Sequence, residues 1–233
     1  MMGRIYDGSA ILLNPVRDDT GKELTDILVY DDRAILFIQA KDSPNTEASL
    51  RRSIDRKRAA VRGHIHKAAR QLTGALSHAK RAGVLKVRRP DGPVELPVGD
   101  RDLIGLVVVS ELFDDDYAAC SCPVLQVVRD TECAAILIDY RGLHIMAQTL
   151  RSPTRFTHGL AQMFEVAIDK GEFPKPAWIG PPPECAAAQR GGPRRFLRPG
   201  SLGGLLPAHV GGGGGGRGRA GMDPVQRALH AGG

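Results

Sequence analysis

Cysteines, long apolar runs and, over one long stretch, acidic and aromatic residues are scarce in this chain. Each scarcity closes off a class of protein. The four cysteines, Cys120, Cys122, Cys133 and Cys185, contain no C-x-x-C pair. Cys120 and Cys122 with Cys133 lack a fourth ligand at ordinary zinc spacing, so free thiols in a reducing cytosol are expected. No apolar run approaches the ~18–20 residues of a membrane span, and no signal peptide opens the sequence. A soluble, cytoplasmic protein with no membrane partner follows as the expectation. Between Arg51 and Arg81 there is one acid, Asp55, against ten Lys and Arg residues, and no aromatic side chain. Without aromatics among those charges, base stacking on a single strand is not expected there.

What is present suffices for one folded domain. A chain of 233 residues, 42% hydrophobic, can build a core for a domain of about 170 residues. The net charge of +6 and a pI near 9.3 favour an anionic partner. From Gly180 onward the composition changes, with 23 Gly and Pro among the last 54 residues and six consecutive glycines at 211–216. Such a segment buries too little apolar surface to offset the entropy of ordering it. The expected division is therefore an α/β domain over residues 1–178 and a basic, disordered tail over 179–233.

The domain is organised around E-L-T-D-I-L-V-Y-D-D-R-A-I-L-F-I-Q-A-K, residues Glu23 to Lys41. Two apolar runs, Ile27 to Tyr30 and Ala34 to Ala40, flank the turn-forming Asp31-Asp32-Arg33, which reads as a β-hairpin. With Asp32-Arg33 as a two-residue loop, facing residues have numbers that sum to 65. Asp26 then faces Gln39, and Lys41 lies diagonally on the same face, because side chains alternate with period two. Leu28, Tyr30, Ile35 and Phe37 complete that face; Ile27, Val29, Leu36, Ile38 and Ala40 make the other wholly apolar. A hairpin apolar on both faces belongs inside a domain, where a carboxylate, an amide and an ammonium are costly unless paired or bound to something. A carboxylate and an amide oxygen can ligate a hard cation such as Mg²⁺, with the lysine beside them to hold an anion or a water. The competing reading is structural: Asp26 caps a turn and Lys41 ends a strand.

Asp26, followed thirteen residues later by Gln39-Ala40-Lys41 on the adjacent strand, resembles the signature of the PD-(D/E)XK nuclease superfamily. The wording G-K-E-L-T-D-I-L-V ahead of F-I-Q-A-K is also similar to uncharacterised bacterial proteins assigned to that superfamily. The resemblance covers residues 14–82 best. It implies a restriction-endonuclease-like mixed central sheet flanked by helices, a Mg²⁺ cofactor, and hydrolysis of phosphodiester bonds in DNA, by default double-stranded. Asp26 and Gln39 would hold the metal, and Lys41 would orient the attacking water or stabilise the phosphoryl charge. Two features depart from the superfamily's pattern. Gln39 stands where a carboxylate is commoner, and residues 1–22 show no helical period that could bring a helix-borne glutamate. Glu23 is the candidate substitute acid. These departures keep a second function in view, a catalytically inactive nuclease-like module that binds nucleic acid or protein. A third reading is a plain scaffold in which Asp26 and Lys41 are an ion pair.

Elsewhere, Ala10 to Leu13 reads as a first strand. From Glu47, apolar residues at Leu50, Ile54, Val61, Ile65, Ala68, Leu72, Ala75, Leu76 and Ala79 predict a long helix to about Arg81. Gly63 and Gly74 are possible interruptions, and Gly83 is the stop. Its polar side carries Arg51, Arg52, Arg56, Lys57, Arg58, Arg62, Lys67 and Arg70, candidates to line a phosphate-bearing groove beside the hairpin. His64 and His66, two apart on a helix, point away from each other and make no metal pair. Val84 to Arg89 and Val94 to Leu96 predict a surface hairpin, and Leu103 to Ser110 a central strand. Asp114-Asp115-Asp116 reads as a solvated loop. Val124 to Val128 and Ala134 to Ile138 read as further strands, followed by helices over Tyr140 to Leu150 and Phe156 to Ile168. Ser152 is the expected N-cap of the last, with Pro153 at its first position.

Overall fold

The computed structural model describes residues 1–42, 47, 51–89 and 92–175. The Gly/Pro/Arg-rich segment beyond residue 179, with Cys185, and also Leu50, lie outside the described residues. The architecture is mixed α/β. A five-stranded sheet has the order β1 (Ile11–Leu13), β3 (Ile27–Tyr30), β4 (Ala34–Lys41), β7 (Asp102–Val109), β8 (Ala134–Asp139). A smaller sheet pairs β2 (Val16–Arg17) with β5 (Val84–Arg89) and β5 with β6 (Gly92–Pro97). The helices with bounds among the described residues are α1 (Ile54–Ala82), α2 (Tyr117–Thr131), α3 (Tyr140–Thr149) and α4 (Pro153–Lys170). No helix among the described residues is long and apolar enough to cross a membrane.

The hairpin expected from the sequence is present in the expected register. Ile27 pairs with Ile38, Leu28 with Phe37, Val29 with Leu36 and Tyr30 with Ile35, all summing to 65. Asp31 sets the turn: its Oδ1 accepts from the backbone N–H groups of Arg33 and Ala34, both at 2.8 Å. Its own N–H closes the loop on the Ala34 carbonyl at 3.0 Å. β4 then pairs in parallel with β7, and β7 with β8, so α1 and α2 are the crossovers that parallel neighbours require. The run expected from Leu103 to Ser110 is thus an interior strand, which ends one residue earlier, at Val109.

Gly105, opposite Phe37, lies under α1. A Cβ at Gly105 would stand 3.1 Å from a Leu72 methyl and 3.2 Å from one of Leu76. α1 therefore covers the face that carries Phe37 and Gln39, and α2 packs beside it. α3 and α4 lie against β8 from the other side, where Ile138 meets Gly142. Phe37, Leu72, Leu76, Ile104 and Phe156 are fully buried at the centre of the two layers.

Three details correct the sequence reading. Val124 to Val128 is not a strand but the middle of α2, which buries Tyr117, Cys120, Val124, Val127, Val128 and Thr131 at helical spacing. The buried stripe against α1 and β8 outweighs the β preference of four valines and leucines, even with Pro123 inside the helix. Glu47 is helical and accepts the Arg51 N–H at 3.1 Å, but the long helix itself starts only at Ile54 behind Ser53, so Arg51 and Arg52 precede it. It also runs unbroken through Gly63 and Gly74, because its apolar face is packed over most of its length and outweighs the cost of two glycines. The capping chemistry of α4 is as expected, with the Ser152 hydroxyl accepting from the Arg155 N–H and Pro153 at the first position.

Candidate hydrolytic site at the end of β4

Asp26, Gln39 and Lys41 converge. Asp26 stands just before β3, and its Oδ2 accepts from the Ala40 backbone N–H at 2.7 Å and from Lys41 Nζ at 2.9 Å. Lys41 Nζ also donates to Gln39 Oε1 at 3.0 Å, so one ammonium spans the carboxylate and the amide. The cluster grades from core to rim: Gln39 is 2% exposed, while the Lys41 and Asp26 side chains keep 16% and 24%.

Thr25, to which no sequence pattern points, fixes the amide. Its hydroxyl donates to the Ile38 carbonyl at 2.8 Å and accepts from Gln39 Nε2 at 3.4 Å. With its one proton committed to Ile38, Thr25 can only accept from residue 39, so the NH₂ end of Gln39 points at it and Oε1 faces Lys41. A glutamate at 39 would set an acceptor against that spent hydroxyl. The buried amide is therefore what this pocket accommodates. Glu23 is exposed, three residues before Asp26, in an isolated bridge to Val16, and makes no hydrogen bond or ion pair with Asp26, Gln39 or Lys41. Residues 1–22 supply only two 3-10 turns and short strands, so no helix-borne glutamate comes from them.

No protein-family model matches this chain, and no curated protein matches it. The site must be read from its own geometry.

The basic residues of α1 divide into two sets. Arg58 and Arg62 lean toward α2: Arg58 donates to Asp115 at 2.8 Å, and Asp116 stands 4.0 Å from both. Arg58 also lies over the Phe113 ring, and its buried Nε faces the buried Asp116 Oδ2 without a hydrogen bond. The acidic triplet is therefore not simply a solvated loop. Its second and third members neutralise part of the helix, whereas Asp114, 90% exposed, stands beside Lys175. Arg51 pairs with Glu47, and Lys57 is half-buried. Arg56, Lys67 and Arg70 are exposed on the face opposite the buried stripe, since 100° per residue carries all three to the outer side. Arg52, outside the helix, is exposed as well.

No group of three or more His, Cys, Asp or Glu residues that could hold a metal occurs among the described residues. Cys120 and Cys133 are buried and Cys122 exposed. Burial, with Asp116 nearby, pushes the Cys120 thiol up to about 11, which leaves the free thiol protonated at neutral pH. Burial also raises Asp139, the last residue of β8, against the opposing hydrogen bond from the Gly142 N–H.

Proposed function

We propose that this protein is a divalent-cation-dependent nuclease with a restriction-endonuclease-like core, acting on phosphodiester bonds of double-stranded DNA. The observation that carries the reading is the single ammonium of Lys41 spanning Asp26 Oδ2 and Gln39 Oε1 at the carboxyl end of a parallel strand. The crevice beyond the carboxyl ends of such strands is where open α/β sheets bind ligands.

The donor set suits Mg²⁺ in kind. That ion keeps several waters and takes one or two carboxylates, with substrate phosphate oxygens completing its shell. Asp26 offers Oδ1, which takes no hydrogen bond among the described residues, and Gln39 offers a neutral amide oxygen. When bound, a cation there polarises the phosphoryl oxygen and acidifies a water. The chain's own residues do the rest. Asp26 holds the charge that recruits the cation. Thr25 and Ile38 keep the Gln39 amide from turning. Lys41 supplies a positive charge where the phosphoryl group becomes more negative in the transition state, or orients the attacking water.

Arg52, Arg56, Lys67 and Arg70 give the backbone its electrostatic hold. Removing Arg56, Lys67 and Arg70 together is expected to weaken duplex binding at every sequence alike. The slope of log K against log salt should become shallower by roughly 2.7, at about 0.9 per phosphate contact. Fluorescence anisotropy across a salt series measures it.

The second reading, a nuclease-like module that binds without cutting, is favoured by a specific feature. The site holds one carboxylate, and its amide oxygen is already occupied by Lys41. Incubating the protein with plasmid and linear duplex in Mg²⁺ or Mn²⁺, against an EDTA control, separates the readings. Cleavage that needs the metal is the expected result. Steep, salt-dependent binding with no cleavage in either metal means a binding module. Neither binding nor cleavage leaves the trio as a structural ion pair.

A further inference from the structure

A second surface, on α3, has a chemistry that α1 lacks. Tyr140 is 57% exposed at the start of α3, and its ring lies nearly parallel to that of His144, centroids 6.3 Å apart and planes 21° from one another. His144 is itself exposed and held from behind by Gln148 at 3.4 Å. From Tyr140 to Phe164 there is no acidic residue, while Arg141, Arg151 and Arg155 are all exposed. Arg151 is tied to the end of α3 through the Gln148 carbonyl at 3.0 Å. The nearest preceding carboxylate, Asp139, is buried and turned onto the Gly142 N–H at 2.6 Å. An exposed aromatic ring backed by an imidazole, on a helix of ~15 Å that carries Arg141 and no acid and is followed by Arg151 and Arg155, therefore suits an anion that carries flat apolar rings.

We propose that the exposed side of α3 binds unpaired nucleotides of a single-stranded nucleic acid, with a base stacked on Tyr140 and phosphates held by Arg141 and by Arg151 and Arg155 in the loop and first turn that follow it. A base presents the π-face that Tyr140 can cover whatever its identity, so the contact is sequence-tolerant. A duplex cannot offer that face, because its bases are stacked on one another. The position of the surface is informative as well. Lys41, Val109 and Asp139 share one row of the sheet, so Tyr140 leaves the same edge as Lys41 two strands away, roughly 10 Å along it. The binding surface stands apart from the cleavage reading and does not depend on it.

The test is anisotropy of the full chain with a labelled oligo-dT and with a duplex of equal length. Wild type is expected to bind the unpaired strand in addition to the duplex. Tyr140→Ala should weaken oligo-dT binding by about 5- to 150-fold, the range for losing one stacked base, and leave duplex binding unchanged. Tyr140→Phe should retain it, and Arg141→Ala should weaken it and flatten its salt dependence by about 0.7 in slope. Asp26→Asn should bind oligo-dT as wild type does, which keeps this result separate from the fate of the nuclease reading. Tyr140 is exposed, so loss of fold does not confuse the comparison, and circular dichroism checks it. Equal oligo-dT affinity in wild type and Tyr140→Ala overturns the proposal. So does concentration-dependent dimerisation by light scattering that Tyr140→Ala and Ile145→Ala, the latter at the other exposed apolar residue of α3, abolish, since the face would then be a contact between two copies of the chain.

Discussion

Exchanging Asp26 for asparagine is expected to slow Mg²⁺-dependent DNA cleavage at least about a hundred-fold, and Lys41→Ala to do the same. The asparagine preserves shape and can still accept from the Ala40 N–H, as Asp26 does at 2.7 Å. What the exchange removes is the only carboxylate among the three converging side chains, and with it the charge that attracts the cation. Lys41→Ala removes the group that spans Asp26 and Gln39 at 2.9 and 3.0 Å. The pair is partly solvated, so its contribution to folding is of the order of 1 kcal/mol, too little to explain a hundred-fold loss by unfolding. Lys41→Arg separates charge from geometry. A planar guanidinium in place of a point-like ammonium should recover only part of the rate. Initial rates of plasmid nicking, on preparations matched by circular dichroism, measure all three. Full activity in either Asp26→Asn or Lys41→Ala moves the chemistry elsewhere.

Phe37→Ala is expected to destabilise the fold by about 3–5 kcal/mol, the largest stability effect of any single change considered. Phe37 is fully buried on β4, opposite Gly105, at the point where Leu72 and Leu76 of α1 reach the sheet. Truncation leaves a cavity that α1 cannot close by settling inward, because its leucines already stand 3.1 and 3.2 Å from where a Gly105 Cβ would be. The complementary change, Gly105→Val, overfills the same contact and should cost about 1–3 kcal/mol. Urea unfolding resolves both as lower midpoints at unchanged slope. Because Phe37 lies two residues from Gln39 on the same face, the cavity variant should also lose order at the site.

The parts of this molecule that short-range rules govern were legible in its sequence. Asp31-Asp32-Arg33 dictates a two-residue loop, the loop dictates the register, and the register brings Asp26, Gln39 and Lys41 to one place. Ser152-Pro153 likewise announces α4. Contacts between residues distant in sequence were not legible. Nothing near Arg58 or Arg62 announces Asp115 and Asp116, Arg58 and Asp115 being 57 residues apart, so the whole basic helix read as open to phosphate. Val124 to Val128 misleads for a related reason. Tyr117, Cys120, Val124, Val128 and Thr131 do recur at three and four residues, yet a cluster of β-branched side chains beside Pro123 hides the period. Thr25 was illegible because a hydroxyl next to a carboxylate carries no pattern of its own. Its role exists only once Ile38 and Gln39 are folded against it.

The most direct test of the central claim is Mn²⁺ binding, read from the electron paramagnetic resonance of the free ion with wild type and Asp26→Asn side by side. Duplex DNA too short to be cleaved productively is included in a second series to supply phosphate oxygens. The account predicts that wild type removes Mn²⁺ from solution at one site per chain, more tightly with DNA present, and that Asp26→Asn does not. Equal binding by the two proteins, or none by wild type even with DNA, contradicts a cation site at the end of β4.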